Sequence, residues 1–223
     1  MQAVAIEATE LQAKAGLHAL LAQAFNYPDE KLVAALCGGE FLDALAQFAD
    51  ALGHPSLRKL ITDCRKECTG KQTGSNATVL LDLERDYTRM FFASKPRLAY
   101  LFESVYREGK LMQDSTFQIA RLYADAGLKL TEEFRLPPDH IAVELEFLSF
   151  LFFKEIEGAK NGAAGQVEYA RELQALVINQ HLRPFAQNIG ERVAEHACTS
   201  FYRTVALVLK QCYAEAPADA PKA

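Results

Sequence analysis

The chain has 223 residues, half of them hydrophobic and 24% charged, so it is long enough to bury a core without disulfides or structural metals. Its 24 basic and 29 acidic residues give a net charge of −5, and no local cluster of Lys and Arg offsets it, which argues against a nucleic-acid partner. The first ten residues lack the basic start of a signal peptide, and no apolar run nears the roughly 20 residues of a membrane span. These features predict a protein that stays in the cytoplasm and does not insert into a membrane.

The five cysteines are odd in number and widely scattered, without the paired spacing of a zinc site. Only Cys64 and Cys68 are close in sequence, on one face of a predicted helix. Reduced thiols are therefore expected.

Helical spacing of apolar side chains predicts a series of helices along the first part of the chain. They cover 7–26, 28–37, 40–52, a segment after 55, and about 76–92, with a polar loop over 69–76. Gly39 and Pro96 are expected to lie just beyond the ends of the second and fifth helices. Tyr87, Met90 and Phe91 fall on the apolar face of the fifth.

The stretch 97–112 carries several aromatic residues without a helical or strand period, and it predicts an irregular connection with room for one helical turn. Long ordered connections in compact domains are often functional. A helix from Asp114 or Ser115 to Ala126 is expected next, ended by Gly127.

The most informative stretch is 137–153, where Pro137, Pro138 and Asp139 are expected at the start of a helix. From Ile141 onward, apolar side chains fall at so many angles around a helical wheel that no single water-facing side remains. This pattern predicts the central helix of a helical bundle. A carboxylate on such a helix must pair with another group or line a groove.

His140, Glu144 and Glu146 are the polar groups of this helix that resemble a catalytic or metal site most closely. His140 and Glu144 are four residues apart and stack on one face, where they could share a metal or a proton, while Glu146 projects roughly opposite. One alternative is therefore a helical metal-binding enzyme that uses these three residues. The small number of ligands and the absence of phosphate-loop, dinucleotide and nucleophile-elbow motifs favour a protein without catalysis, metal or cofactor.

Asp139 has two interpretations on spacing alone. It could cap its own helix, which its position favours, or it could pair with an arginine of a partner while His140 holds its orientation. A further alternative is a helical regulatory module whose aromatic groove binds an unrelated apolar helix.

The glycine-rich stretch 158–165 predicts a turn into an antiparallel helix over 166–183. Pro184 is expected to end that helix, and one long helix is expected to follow as far as Tyr213. Residues 214–223 have the composition of a disordered tail. With no strand alternation and no repeat, the sequence predicts an all-α single domain over 1–213, a bundle of roughly nine to eleven helices.

Short motifs stand in order along this chain: ERDYTRMFF at 84–92, ESVY, LM and DST within 103–116, PPDHIAVELEF at 137–147, and HLRPF at 181–185, followed by Phe201-Tyr202. In order and spacing they resemble the TorD-like family of redox-enzyme maturation chaperones, which includes DmsD and NarJ. The resemblance extends from about residue 10 to residue 213.

This resemblance implies an all-α fold and a non-enzymatic role without a cofactor. Such chaperones bind the catalytic subunit of a molybdopterin oxidoreductase, commonly through its twin-arginine leader and in some cases through its folded core, and delay export until the molybdenum cofactor has been inserted. The motifs imply two groups of leader-binding residues: Pro137, Asp139 and His140 at the leader site, and Tyr87, Met90, Phe91 and Phe102 as a flanking apolar wall. The helical wheel adds Glu144 to the first group. The resemblance is compatible with either a monomer or a homodimer.

The chain departs from the family pattern in two places. It reads Ala93-Ser94-Lys95-Pro96 where the family often has Gly-Pro, and it has Tyr87, Phe102 and Phe185 where Trp is frequent. These differences predict a groove of different shape and a different client.

Overall fold

The structure, a computed structural model, describes residues 2–70, 75–129 and 136–214, without the side chains of 2–8 and of 69 and 70. These residues form eleven α-helices and two π-helical segments and no strand. The α-helices are α1 (Gln2–Phe25), α2 (Glu30–Gly38), α3 (Glu40–Ala51), α4 (Leu57–Gly70), α5 (Asn76–Thr88), α6 (Glu103–Glu108), α7 (Asp114–Asp125), α8 (Ile141–Lys160), α9 (Ala164–Leu176), α10 (Arg183–His196) and α11 (Ser200–Cys212). The π-helical segments are Arg89–Ala93 and Val177–Leu182. The all-α prediction is confirmed. The predicted tail after Ala214 and residues 71–74 of the predicted loop lie outside the described residues, whereas 69, 70 and 76 belong to helices.

The predicted central helix is α8, which runs along α1 and packs against α9. Its apolar side chains lie in the core, and the buried Ser149 hydroxyl donates to the carbonyl of Ala15 on α1 at 2.9 Å. The helix nevertheless has a narrow water-facing stripe, which includes Glu146, Phe153 and Glu157. The expectation of no water-facing side was wrong because Phe153, although apolar, is exposed.

The helix α8 begins later than predicted, at Ile141 instead of at the two prolines. Pro138 and Asp139 form a turn, and His140 is the N-cap, because its Nδ1 accepts from the backbone N–H of Ala142 at 3.2 Å. The short helix α6 fulfils the prediction of one helical turn in the aromatic connection.

Gly158 lies inside α8 and not in the turn predicted over 158–165. A Cβ at this position would lie 3.1 Å from Val167 Cγ2, so the glycine serves the close approach of α9 to α8. The turn itself is shorter and covers only 161–163.

Pro184 does not end a helix. The helical backbone continues from α9 through Val177–Leu182 into α10, where Pro184 is the second residue. Pro184 has no N–H to donate to the preceding turn, and the carbonyl of Gln180, four residues earlier, accepts from Arg107 instead.

The predicted long final helix is in fact two helices, α10 and α11, separated by 197–199. Ala197 is extended, and the Thr199 hydroxyl caps α11 by accepting from the N–H of Tyr202. The buried carboxylate of Asp86 accepts from the N–H groups of Cys198 and Thr199, at 2.9 and 2.8 Å. A side chain distant in sequence therefore sets this break, which no Gly or Pro marks.

No single helix within the described ranges is long and apolar enough to cross a membrane. The pair α2 and α3 reaches the required length and composition only when both are taken together, and it is bent by 71°.

Candidate functional site

The candidate site forms where the chain before α6 meets the chain before α8. The N–H of Ile141 donates to the carbonyl of Leu101, and the N–H of Glu103 donates to the carbonyl of Asp139, both at 2.9 Å. Phe102 and His140 thereby form an isolated antiparallel bridge, and their rings meet edge to face with centroids 5.4 Å apart. The fold thus joins two motifs that are more than thirty residues apart in the sequence.

Asp139 caps a helix, but not its own. Its Oδ2 accepts from the N–H of Ser104 at 3.0 Å, so the side chain and the carbonyl of Asp139 together satisfy the first two N–H groups of α6. The residue before α6 is Phe102, which has no side-chain acceptor, and a carboxylate from another segment takes that role. The interpretation of Asp139 as the cap of its own helix is therefore wrong. Its Oδ1 is buried and has no hydrogen-bond partner.

Two more carboxyl groups lie beside this cap, and both are fully buried. Glu103 is paired, because its Oε1 accepts from Arg107 at 2.7 Å and its Oε2 lies 2.8 Å from Nδ1 of His181. Glu144 is not paired, since neither of its oxygens has a hydrogen-bond partner. This Glu103–Asp139–Glu144 group is called the acidic cluster below.

Burial raises the pKa of Glu144 well above its usual value, and the nearby carboxylates of Glu103 and Asp139 raise it further, while Arg107 opposes them. The carboxyl group of Glu144 therefore favours its neutral, protonated form. Burial also lowers the pKa of His140 to about 4, against the opposing effect of Asp139. With Nδ1 accepting from Ala142, the neutral ring carries its hydrogen on Nε2.

The turn before α8 is also tied to α7. The hydroxyl of Tyr123 donates to the carbonyl of Pro138 at 2.7 Å, and its ring meets Phe147 with centroids 4.5 Å apart. Pro137 and Phe102 are half-buried at the edge of this region. The structure thus brings together five of the predicted site residues: Phe102, Pro137, Asp139, His140 and Glu144.

The rest of the predicted apolar wall lies in the core. Tyr87, Met90 and Phe91 are buried, and the Tyr87 hydroxyl donates to the carbonyl of Phe25. They could contact a client only if the chain rearranged.

The aromatic side chains that reach water next to Tyr87 are Tyr27 and Phe92, which are 56% and 50% exposed. Their rings lie 5.4 and 5.9 Å from that of Tyr87, and the guanidinium of Arg97 lies 5.7 Å from the ring of Phe92. Neither Tyr27 nor Arg97 lies in one of the motifs, and Phe92 lies in the first motif but was not among the predicted site residues. The adjacent residues Phe91 and Phe92 could have indicated an exposed aromatic side chain, because neighbouring residues of a helix project in different directions.

The motif residues mostly contact one another. Asp86, from the first motif, accepts hydrogen bonds at the start of α11. Glu103, from the motif at the start of α6, pairs with His181 of the HLRPF motif. Asp139, from the PPDHIAVELEF motif, caps α6. Much of the motif pattern is therefore explained by the fold itself.

The three residues of the metal-binding alternative are not arranged as a set of ligands. Glu146 is exposed whereas Glu144 is buried, so the two do not converge with His140. Among residues 2–70, 75–129 and 136–214, no group of three His, Cys, Asp or Glu side chains is placed to hold a metal ion.

Fold and site together define an all-helical protein with a buried acidic cluster where two interhelical segments pair. A family model described as the nitrate reductase delta subunit matches residues 38–190, which is more than half of the chain. The chain therefore belongs to this family, the TorD/NarJ family that its motifs resemble.

Individual relatives agree with this assignment. The chaperone protein TorD of Vibrio cholerae is 28% identical over 127 residues, 56% of this chain and 56% of the relative. A chaperone protein TorD of Escherichia coli is 27% identical over 135 residues, 59% of this chain and 62% of the relative. The matches thus span somewhat more than half the length of these curated relatives, which are named as chaperones and not as enzymes.

A solved structure supports the fold. The crystal structure described as that of a redox enzyme maturation protein from Archaeoglobus fulgidus has a TM-score of 0.52 and 22% sequence identity. The similarity covers 89% of this chain and 92% of that one.

Proposed function

We propose that this chain is a cytoplasmic chaperone dedicated to one molybdenum-cofactor oxidoreductase. It binds the catalytic subunit of that enzyme through the twin-arginine leader, and holds it for cofactor insertion and folding before export. The observation that carries the proposal is the family match over residues 38–190, together with relatives that are named TorD chaperones.

The geometry of the acidic cluster fits such a partner. A leader combines arginines with an apolar stretch, so its binding site must offer carboxylates beside apolar surface. Asp139 has one carboxylate oxygen without a partner, and Phe102 and Pro137 are half-buried next to it. The Asp139 side chain is fully buried in the free chain, so the proposed contact with a leader arginine requires a local opening of this region.

The first experiment is a pull-down with the tagged chain from its native cell, grown so that a molybdopterin oxidoreductase is expressed. We expect the catalytic subunit of that enzyme to be retained with its leader still attached. A parallel sample, in which the leader of that subunit has been deleted, should lose most of the retained protein. Retention of an unrelated apolar partner instead would favour the regulatory-module alternative.

The site is tested with Asp139→Asn, which removes the charge but leaves an oxygen able to accept from the N–H of Ser104. Loss of a charge-assisted hydrogen bond to a leader arginine should weaken binding of the leader peptide by about 1.5 kcal/mol or more. Circular dichroism and urea unfolding should show the helical fold preserved. Unchanged binding by this folded variant would remove Asp139 from the leader site.

A further inference from the structure

Some of the buried carboxylates in this protein share an arrangement in which an arginine reaches in from the surface. Three acids whose side chains are at most 3% exposed have such partners: Asp86 with Arg89, Glu103 with Arg107 and Glu155 with Arg171. The three arginine side chains are 39%, 37% and 58% exposed. Each guanidinium thus pairs with a buried acid while part of its own side chain stays in water, as the fork geometry of arginine permits.

Glu144 lacks this arrangement. Its side chain is fully buried, yet neither oxygen has a hydrogen-bond partner. A buried carboxyl group without a partner is costly, since it gives up its hydration and gains nothing in exchange. The neighbouring Oδ1 of Asp139 is in the same condition.

The electrostatic surroundings explain how the folded chain tolerates Glu144. The ionisable groups that interact with Glu144 include Glu103 and Arg107 of α6, Asp139 of the turn, Tyr123 of α7 and Tyr213 after α11. Next to these groups lie three histidines: His140 beside Asp139, His181 bonded to Glu103, and His18 of α1 bonded to Tyr213. The guanidinium of Arg107 opposes a rise in the pKa of Glu144, but it is already bonded to Glu103 and to the carbonyl of Gln180. Burial and the two carboxylates raise the pKa of Glu144, so the group keeps its proton.

The acidic cluster lies close to the surface despite its burial. Arg107 is 37% exposed, pairs with the fully buried Glu103 and is near enough to Glu144 to oppose the rise of its pKa. A guanidinium on a flexible side chain can therefore span the distance from water to this cluster. An arginine of a leader peptide bound at the surface would span the same distance to reach the acidic cluster.

We infer that Glu144 is an acceptor for an arginine of the bound client, and that its proton passes to the solvent when the guanidinium arrives. This inference rests on the proposed function and deepens it, because it assigns two unpartnered carboxyl groups, Asp139 and Glu144, to two adjacent leader arginines. The only covalent bond that breaks is the O–H bond of Glu144. The carboxylate that remains pairs with the guanidinium, and water or buffer takes up the proton.

The inference predicts that leader binding depends on pH in one direction. While Glu144 is protonated in the free protein, each rise of one pH unit should tighten binding by up to about tenfold, because the complex holds one proton fewer. Above the pKa of Glu144 in the free protein, the affinity should level off.

The test is calorimetric titration of the full chain with a synthetic peptide that has two adjacent arginines followed by an apolar run. Titration in two buffers of different ionisation enthalpy, repeated at several pH values, counts the protons. We expect the release to approach about one proton per peptide bound at pH values below the pKa of Glu144 in the free protein, and to fall as pH rises through that pKa. Glu144→Gln should abolish this release, flatten the pH profile and weaken binding by about tenfold to a hundredfold, the range for a charge-assisted hydrogen bond.

Two controls test whether the released proton comes from Glu144 and whether the arginines of the peptide cause its release. Glu146→Gln, on the exposed face of α8, should release the same number of protons as the unchanged protein and bind equally well. A peptide with citrulline in place of both arginines should release no proton. Glutamine resembles the neutral carboxyl group in shape, so Glu144→Gln should keep its fold, which thermal unfolding checks.

The outcomes distinguish this inference from the proposed function. Peptide binding without proton release, or equal binding by Glu144→Gln, would overturn the role of Glu144 and leave the chaperone proposal intact. If the unchanged chain does not bind the peptide at all, leader recognition and the role of Glu144 fall together, whereas a client retained in the pull-down would still support a chaperone.

Discussion

Asp86 and Glu144 are two carboxyl groups buried in the same bundle, and their surroundings are opposite. Asp86 accepts from the N–H groups of Cys198 and Thr199, from the Thr199 hydroxyl at 2.9 Å and from Arg89 at 2.9 Å. Glu144 has no hydrogen-bond partner for either oxygen. Both residues lie in motifs of the same family, so membership in a motif does not separate a structural role from a binding role.

The difference between Asp86 and Glu144 shows that the hydrogen-bond partners of a buried carboxyl group indicate its role. A buried carboxylate with several donors completes the fold, because the donors replace the water that it lost. A buried carboxyl group with none destabilises the fold unless it stays protonated, and its free oxygens make it a candidate for binding a partner. Asp139 is intermediate, since one oxygen caps α6 and the other has no partner.

The largest effect is expected for Asp86→Ala. The change removes the acceptor that holds the start of α11 and leaves buried donors unsatisfied, so the free energy of unfolding should fall by about 3 kcal/mol. Urea unfolding followed by circular dichroism measures it. Asp82→Ala, one turn earlier on α5 and half-buried, is the matched control and should change the stability by less than about 0.5 kcal/mol. Equal effects of the two changes would contradict a structural role for Asp86.

Asp139→Ala should have an intermediate effect. Loss of the cap of α6 is expected to lower the free energy of unfolding by about 1 to 2 kcal/mol. Asp139→Asn retains a side-chain oxygen and should lose clearly less in the same urea experiment. A stability of Asp139→Ala equal to that of the unchanged chain would show that this carboxylate does not support α6.

Glu144→Gln should show an effect that depends on pH. Above about pH 4.5, the unfolded chain releases the proton of Glu144 while the folded chain keeps it, because the folded-state pKa is raised above 4.5. The stability contributed by this group is therefore present below pH 4.5 and is lost as pH rises through the folded-state pKa, by up to about 1.4 kcal/mol per pH unit. Glutamine cannot ionise, so the variant should become progressively more stable than the unchanged chain over this range.

The difference between the two proteins isolates Glu144, because His18 and His140, whose pKa values burial lowers to about 4, titrate in both. Urea unfolding at several pH values measures this difference. A constant difference across the range would show that Glu144 is not held neutral in the folded chain.

The smallest effect is expected at the surface. Arg58 pairs with Asp50 at 2.5 Å, but its side chain is 66% exposed. Arg58→Gln should leave the unfolding midpoint unchanged within error, because water solvates the separated charges. A clear loss of stability here would weaken the argument that burial, and not pairing alone, sets the importance of a carboxylate.

Several features of the site could be predicted from the sequence. The resemblance and the helical wheel predicted that Asp139, His140 and Glu144 share one region, with Phe102 on a flanking wall. The structure brings these four residues together, whereas the other wall residues lie in the core. The cap of α6 by Asp139 could not be predicted, because the two partners are 35 residues apart and local spacing favoured α8. The burial of Tyr87 and the exposure of Tyr27 were likewise hidden, since both are aromatic residues near helix ends.

The sequence by itself determined the all-α class, most helix positions before residue 130 and the family, because helical periodicity and motif order are local properties. Tertiary structure alone decided where α10 ends and α11 begins, since the carboxylate of Asp86 must arrive from α5 to accept from Cys198 and Thr199. It also decided that Glu103 is paired and Glu144 is not. Both are glutamates near helix starts, and only the packing of α6 against the second π-helical segment supplies His181 to one of them.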